Sequence, residues 1–241
     1  MKKLLSILVL LLCSCSSKLK VKVYPDPILF EKCAEVEIGD KSAVVLLDKM
    51  IAIMHTSERG AGLSAPQVGI SKRITVLDIP ENPRDPKSPS NIYKMINPVI
   101  VWRSEEFAPS PEGCFSVSDA LGAIVMRHAS VSVEYLNEKF EKCRIEKATG
   151  LLSFCLQHEI DHLDGILYIN RLDPKKVYKV MLIDEVREKV QKQGYLSECI
   201  FIDKSNPKGY SEGIRILNGI KKNGLLNLQM DGIQADNNKE R

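Results

Sequence analysis

Gln157-His158-Glu159-Ile160-Asp161-His162 sets two histidines four positions apart, with a glutamate directly after the first. On a helix, positions i and i+4 share a face, so both imidazoles can bind one metal ion. Glu159 does not fully share that face. It can stand beside a metal-bound water and take its proton, which makes it a general base for hydrolysis. Such a site needs a third protein ligand, and Glu112-Gly113-Cys114-Phe115-Ser116 offers Cys114. Two neutral imidazoles and one thiolate leave a fourth tetrahedral position open, as in catalytic rather than structural sites. The donor set alone specifies a divalent metal and no more. A third segment, Gly60-Ala61-Gly62-Leu63-Ser64-Ala65-Pro66-Gln67-Val68-Gly69, supplies a glycine-rich backbone that a substrate can approach closely. It also carries Gln67, whose amide can donate to an oxyanion.

Read in order as GxGLSAPQ, EGCxS and QHExDH, the three segments resemble the signature motifs of peptide deformylases. The resemblance takes in Tyr24-Pro25-Asp26-Pro27, Ile96-Asn97-Pro98 and Arg127, and runs from about Val23 to Leu172. It implies ferrous iron held by Cys114, His158 and His162, with Zn2+ or another divalent ion as a less effective substitute. It implies a formyl-methionyl peptide or nascent chain as substrate, with release of formate. Glu159 would take the proton from water and return it to the departing amine. The oxyanion would be held by the metal, the Gln67 amide and the backbone N–H of Phe115. Leu151, Cys155 and His158 recur at i, i+4 and i+7 and share a face. The resemblance assigns Leu151 and Cys155 to the pocket for the methionine side chain, and Gly62 with Leu63 to contact with the peptide.

After Ser116 the chain departs from the family pattern. Where a proline and then an arginine are usual, it reads Val117-Ser118-Asp119-Ala120-Leu121-Gly122-Ala123, with one extra residue before Arg127. The arginine is missing and Leu121 stands nearby. Phe115 replaces a leucine, but its expected contribution is a backbone N–H. Two rival readings stand beside the hydrolase. One is a deformylase-like metal-binding protein with weak or no activity, motivated by the missing arginine and the extra ends. The other is an HExxH metalloprotease taking its third ligand from Glu185 or Glu188.

Elements that would position these residues can be read from patterning. Asp40 or Ser42 caps a helix to about Thr56, with Leu46, Leu47, Met50, Ile51 and Met54 as its apolar stripe. His55 at its end is a surface or capping residue rather than a ligand. Arg73–Ile79, Asn97–Trp102, Val131–Tyr135 and Lys142–Glu146 read as strands, the last two joined by a turn near Asn137-Glu138-Lys139. The site helix spans about Ala148 to Leu163 and ends at Gly165. Asp173-Pro174 has the form of a helix start, with Val177, Val180 and Met181 facing inward. The expected fold is α+β, with antiparallel strands around a central helix carrying the HExxH motif.

Three segments are expected: a leader at 1–19, a catalytic domain at 20–193 and a C-terminal extension at 194–241, partly without fixed structure. Within the extension, Ile200-Phe201-Ile202 and Ile214-Arg215-Ile216-Leu217 are apolar runs able to dock on the domain. In the leader, Met1-Lys2-Lys3 is positive, Leu4–Leu12 is apolar, and Cys13-Ser14-Cys15 is small and polar. These are the parts of a secretory signal, with a lipobox-like Cys15, and they suggest export or membrane association. A start further downstream would instead leave the enzyme in the cytoplasm. The net charge of +3 favours no class of partner, and no nucleic-acid interface is expected. Of the seven cysteines, those outside the leader and the metal site are expected as free thiols.

Overall fold

The computed structural model describes residues 19–230 and Ile233, apart from 57–59, 83–84, 86, 194–195 and 197. The leader motif, with Cys13 and Cys15, lies outside the described residues. Two five-stranded sheets and four helices make up the body of the molecule.

The first sheet is antiparallel, in the order β1 (Gly62–Ser64), β2 (Ile74–Pro80), β3 (Ser90–Arg103), β6 (Ser130–Leu136), β7 (Lys142–Thr149). Helix α1 (Lys41–Met54) lies against β1 and β2. Asp40 is its cap, accepting from the Ser42 N–H, and Leu46, Leu47, Met50 and Met54 are its buried stripe. Helix α2 (Gly150–Leu163) packs on β1, β2, β3, β6 and β7, and also touches β5 of the second sheet. It is therefore the shared central element, as expected of an α+β fold built around the motif helix. Gly165 ends it at φ +74°, where a Cβ would lie 2.6 Å from the Phe30 carbonyl oxygen, so a side chain there is excluded twice over.

The second sheet runs β10 (Asn227–Gln229), β8 (Val177–Leu182), β9 (Cys199–Ile202), β5 (Ser118–His128), β4 (Phe107–Cys114). Strands β4 and β5 form an antiparallel hairpin, and β9 joins β5 antiparallel. Strands β10, β8 and β9 are mutually parallel and are connected through α3 (Ile183–Gln193) and α4 (Pro207–Lys222). Parallel neighbours need such crossovers. Helix α4 covers β5, burying Ile214, Ile216, Leu217 and Ile220 in the cluster that also holds Cys114, Leu121, Ile200 and Ile202.

Two expectations change. Asp173-Pro174 does not start a helix. The Asp173 carboxylate accepts from the Lys175 N–H at 2.9 Å in a turn, and the chain enters strand β8, with Val177 exposed and Val180 and Met181 buried. The β-branched Val177 and Val180 with Tyr178 favour a strand, and β9 and β10 flank it on both sides. From 199 to 229 the residues read as an extension carry β9, α4 and β10, with β9 in the middle of the second sheet. The two apolar runs do dock, as a central strand and as the inner face of α4.

Candidate active site

Cys114 ends β4, where burial alternates: Ser110, Glu112 and Cys114 point inward and the residues between them do not. The ladder to β5 shifts register between Gly113 and Cys114, and the turn after Cys114 carries Phe115 and Ser116. Helix α2 brings its two histidines to the same place. Cys114 Sγ lies 3.3 Å from His162 Nε2, which lies 3.2 Å from His158 Nε2. All three donor atoms fall within 4.8 Å of one another. Donors at the corners of a tetrahedron around an ion with bonds of about 2.0–2.3 Å would be roughly 3.3–3.6 Å apart, so the spacing fits a metal. Among the described residues Glu185 and Glu188 are not part of this group, and His55 pairs with Asp78 at 2.7 Å instead.

Orientation comes from a buried ionic chain. Glu112 accepts from His158 Nδ1 at 2.8 Å, which leaves His158 Nε2 with its lone pair toward the other donors. Arg127 grips Glu112 through two bonds of 2.7 and 2.9 Å and reaches Asp161 at 2.5 Å; Asp161 is held from its other side by Arg171. Burial pushes the Glu112 carboxyl up, but the hydrogen bonds from Arg127 and His158 outweigh it and hold the group at about 2. It is thus an anion at neutral pH. Burial depresses His158, yet its bonds to Cys114 and Glu112 overcome this and draw positive charge onto the ring. An electropositive ion on the donor atoms would satisfy the same pull. His162 is pushed well below the usual histidine range by burial and by His158, and so stays neutral. Its Nδ1 has no partner among the described residues.

Glu159 is buried on the same helix. Its Oε2 lies 2.6 Å from Ser64 Oγ, which also approaches the Glu159 carbonyl and Thr75 Oγ1. Burial raises the Glu159 pKa, partly offset by the charge of His158 and the Ser64 bond. Gly62 presses on it: a Cβ there would come 2.4 Å from Glu159 Oε1. Gln67 Oε1 accepts from the Ser64 N–H at 2.7 Å, which turns its Nε2 toward Cys114 Sγ at 3.5 Å and Ser116 Oγ at 3.2 Å.

A cleft of about 440 Å³ opens onto these groups. Gly62, Gln67, Phe115, Leu151, Cys155 and Glu159, all singled out from sequence, line it. Leu63 does not; its side chain is buried in the core beside α1. Cys155 is a thiol, its pKa raised by burial and by the charges of Glu159 and Glu112. Phe154, Ile183, Arg187 and Phe201 also line the cleft and carry no motif. Sequence reading gave no role to Glu112, Ser64 or Asp161. The signal for Glu112 was present, since it sits two positions before Cys114 on a strand and therefore on its face.

Two imidazoles, one cysteine sulfur and a buried carboxylate beside an open cleft define a metal-dependent hydrolase site. The sequence profile of the polypeptide deformylases matches residues 18–178. A peptide deformylase of Natranaerobius thermophilus is 43% identical over 154 residues, covering 64% of this chain and 92% of that protein. A peptide deformylase structure from Ehrlichia chaffeensis in complex with actinonin is 38% identical, with a TM-score of 0.59, covering 74% of this chain and 98% of that one. A Met-Ala-Ser-bound class I type b peptide deformylase from Acinetobacter baumannii is 36% identical, with a TM-score of 0.58 and 64% and 98% coverage. The chain belongs to the polypeptide deformylase family.

Proposed function

We infer that this protein removes the N-formyl group from formylated peptides in a metal-dependent hydrolysis. The observation that carries this reading is Glu159, buried and hydrogen-bonded to Ser64, on the helix that presents two of three converging metal donors. Cys114, His158 and His162 would hold the ion, which would supply Lewis acidity for the formyl carbonyl and for water. Glu159 then takes the proton from the attacking water and delivers it to the amine that leaves. Its raised pKa suits both halves of that transfer, because a more basic carboxylate takes the water proton more readily and then holds it until the amine leaves. Gln67 Nε2, aimed by the Ser64 N–H, and the Phe115 N–H serve as donors to the oxyanion. Gly62 leaves room for the peptide backbone, and Leu151 and Cys155 contribute apolar lining for the methionine side chain.

Ferrous iron is the proposed metal, supported by the family resemblance and by a thiolate in the donor set, with zinc as the substitute. The proposed substrate is a formyl-methionyl peptide or nascent chain. Export or lipid anchoring is proposed from residues 1–19 alone; no helix among the described residues is long and apolar enough to cross a membrane. Lipid on Cys15, sought by mass spectrometry of the protein from membranes, tests that point. The function itself is tested by incubating the iron-loaded protein with formyl-Met-Ala. One formate should appear for each free amine. Cleavage at internal peptide bonds, or neither product from fully metal-loaded protein, would contradict it.

A further inference from the structure

The cleft has lining that comes from outside the segment matched by the family profile, which ends at residue 178. Phe201 on β9 and Ile183 and Arg187 on α3 all face it. Phe201 alternates with Ile200 and Ile202, which are buried in the core cluster, so its own side chain projects from the other face of the sheet. It lies directly over Gly122. A Cβ at that glycine would meet Phe201 Cε2 at 2.3 Å and Cζ at 2.4 Å. Gly122 in turn pairs with Gly113, the residue before Cys114, and with Phe201 across the ladder. Two adjacent glycines thus leave a bare patch of backbone next to Cys114, and the phenyl ring covers its Gly122 side.

This is the segment where the chain departs from the family pattern and has no arginine. In place of a long cation it presents glycine and the overlying ring, with Ile183 nearby in the same cleft, while the Leu121 side chain is buried on the opposite face with Ile202. The two α3 residues sit four apart on one helical face. Arg187 bonds Asp184 at 3.1 Å, and its side chain is 62% exposed, so its charge stays at the solvent edge. Phe201 and Ile183 thus give this end of the cleft an apolar wall, with Arg187 at its solvent edge and the carboxylates of Asp119 and Asp203 among its polar lining, and apolar surface with a few polar groups is the composition of a side-chain pocket.

We propose that Phe201 and Ile183 form a specificity subsite for the residue that follows methionine, selecting an aromatic or large aliphatic side chain there. The inference rests on the deformylase reading. With methionine on Leu151 and Cys155, Phe201 and Ile183 are apolar lining of the same cleft left over for a following residue. An aromatic contact of this kind changes affinity by about two- to tenfold.

The test uses the iron-loaded full chain with formyl-Met-Phe and formyl-Met-Ser, and calorimetric binding of the products Met-Phe and Met-Ser. The wild type should prefer the phenylalanine peptides in both, with the difference carried by KM. Phe201→Ala and, on a separate element, Ile183→Ala should each shrink the Phe/Ser ratio of kcat/KM by about two- to tenfold. Phe201→Leu should retain most of the preference. Equal use and equal binding of the two peptides by the wild type would overturn the subsite. So would a loss in Phe201→Ala that is the same for both peptides, since that is the signature of a merely structural ring. If no peptide is deformylated at all, the functional reading fails, while the binding of Met-Phe against Met-Ser still decides the subsite.

Discussion

Around Cys114 and α2 the cleft is bounded by groups whose polar atoms are tied to one another: His158 to Glu112, Glu112 to Arg127, Arg127 to Asp161, Glu159 to Ser64. Around β9 and α3 the same cleft is bounded by Phe201 and Ile183, placed by sheet register and by the absence of a side chain at Gly122. The first region fixes the direction of lone pairs and protons. Hydrogen bonds do that, because a buried charge without its partner is far more costly than one that has it. The second region needs only a surface of the right shape, and close packing supplies it. Reactivity and selectivity thus come from different materials and from different parts of the chain.

The polar region should suffer most from the loss of a metal donor. Replacing a donor, as in Cys114→Ala, should abolish stoichiometric metal binding and with it all turnover; metal analysis of the purified variant checks this, and tight binding with full activity would remove Cys114 from the site. Next, Arg127→Met should destabilise the fold by about 3–5 kcal/mol, since it strands Glu112 and Asp161 without their shared cation. Urea unfolding measures the loss, and a variant as stable as the wild type would show that the ionic chain is not what holds this region. Smaller again is Gly62→Ala. The added methyl displaces the Glu159 carboxylate, so activity should fall by about a hundredfold with the metal retained. An unchanged kcat would mean that the carboxylate tolerates displacement.

The two regions also differ in how far they could be read from sequence. His158, Glu159 and His162 were legible because helical spacing alone puts them together, and Cys114 because its motif is local. Helix α1 and strands β2, β6 and β7 were legible from their periodicity. Strands β4 and β5 were not. β4 carries Pro109 and Pro111, tolerated because it is an edge strand. β5 is buried along nearly its whole length, packed by α4, by α2 and by Tyr168–Arg171, which erases the alternation a half-exposed strand shows. Phe201 was seen only as part of an apolar run. Its approach to the cleft depends on Gly122, nearly eighty positions away, and on a parallel connection that no local pattern encodes. The turn at Asp173 misled because Asp-Pro opens turns as readily as helices.

The chemistry needs Glu159 as a proton carrier beside a metal that Glu159 does not hold. That requirement is tested most directly by measuring bound metal and formate release in the same preparation of Glu159→Ala. The variant should hold one metal per chain, as in the wild type, with turnover reduced by about two to four orders of magnitude. Formate release near the wild-type rate from the metal-loaded variant would contradict it.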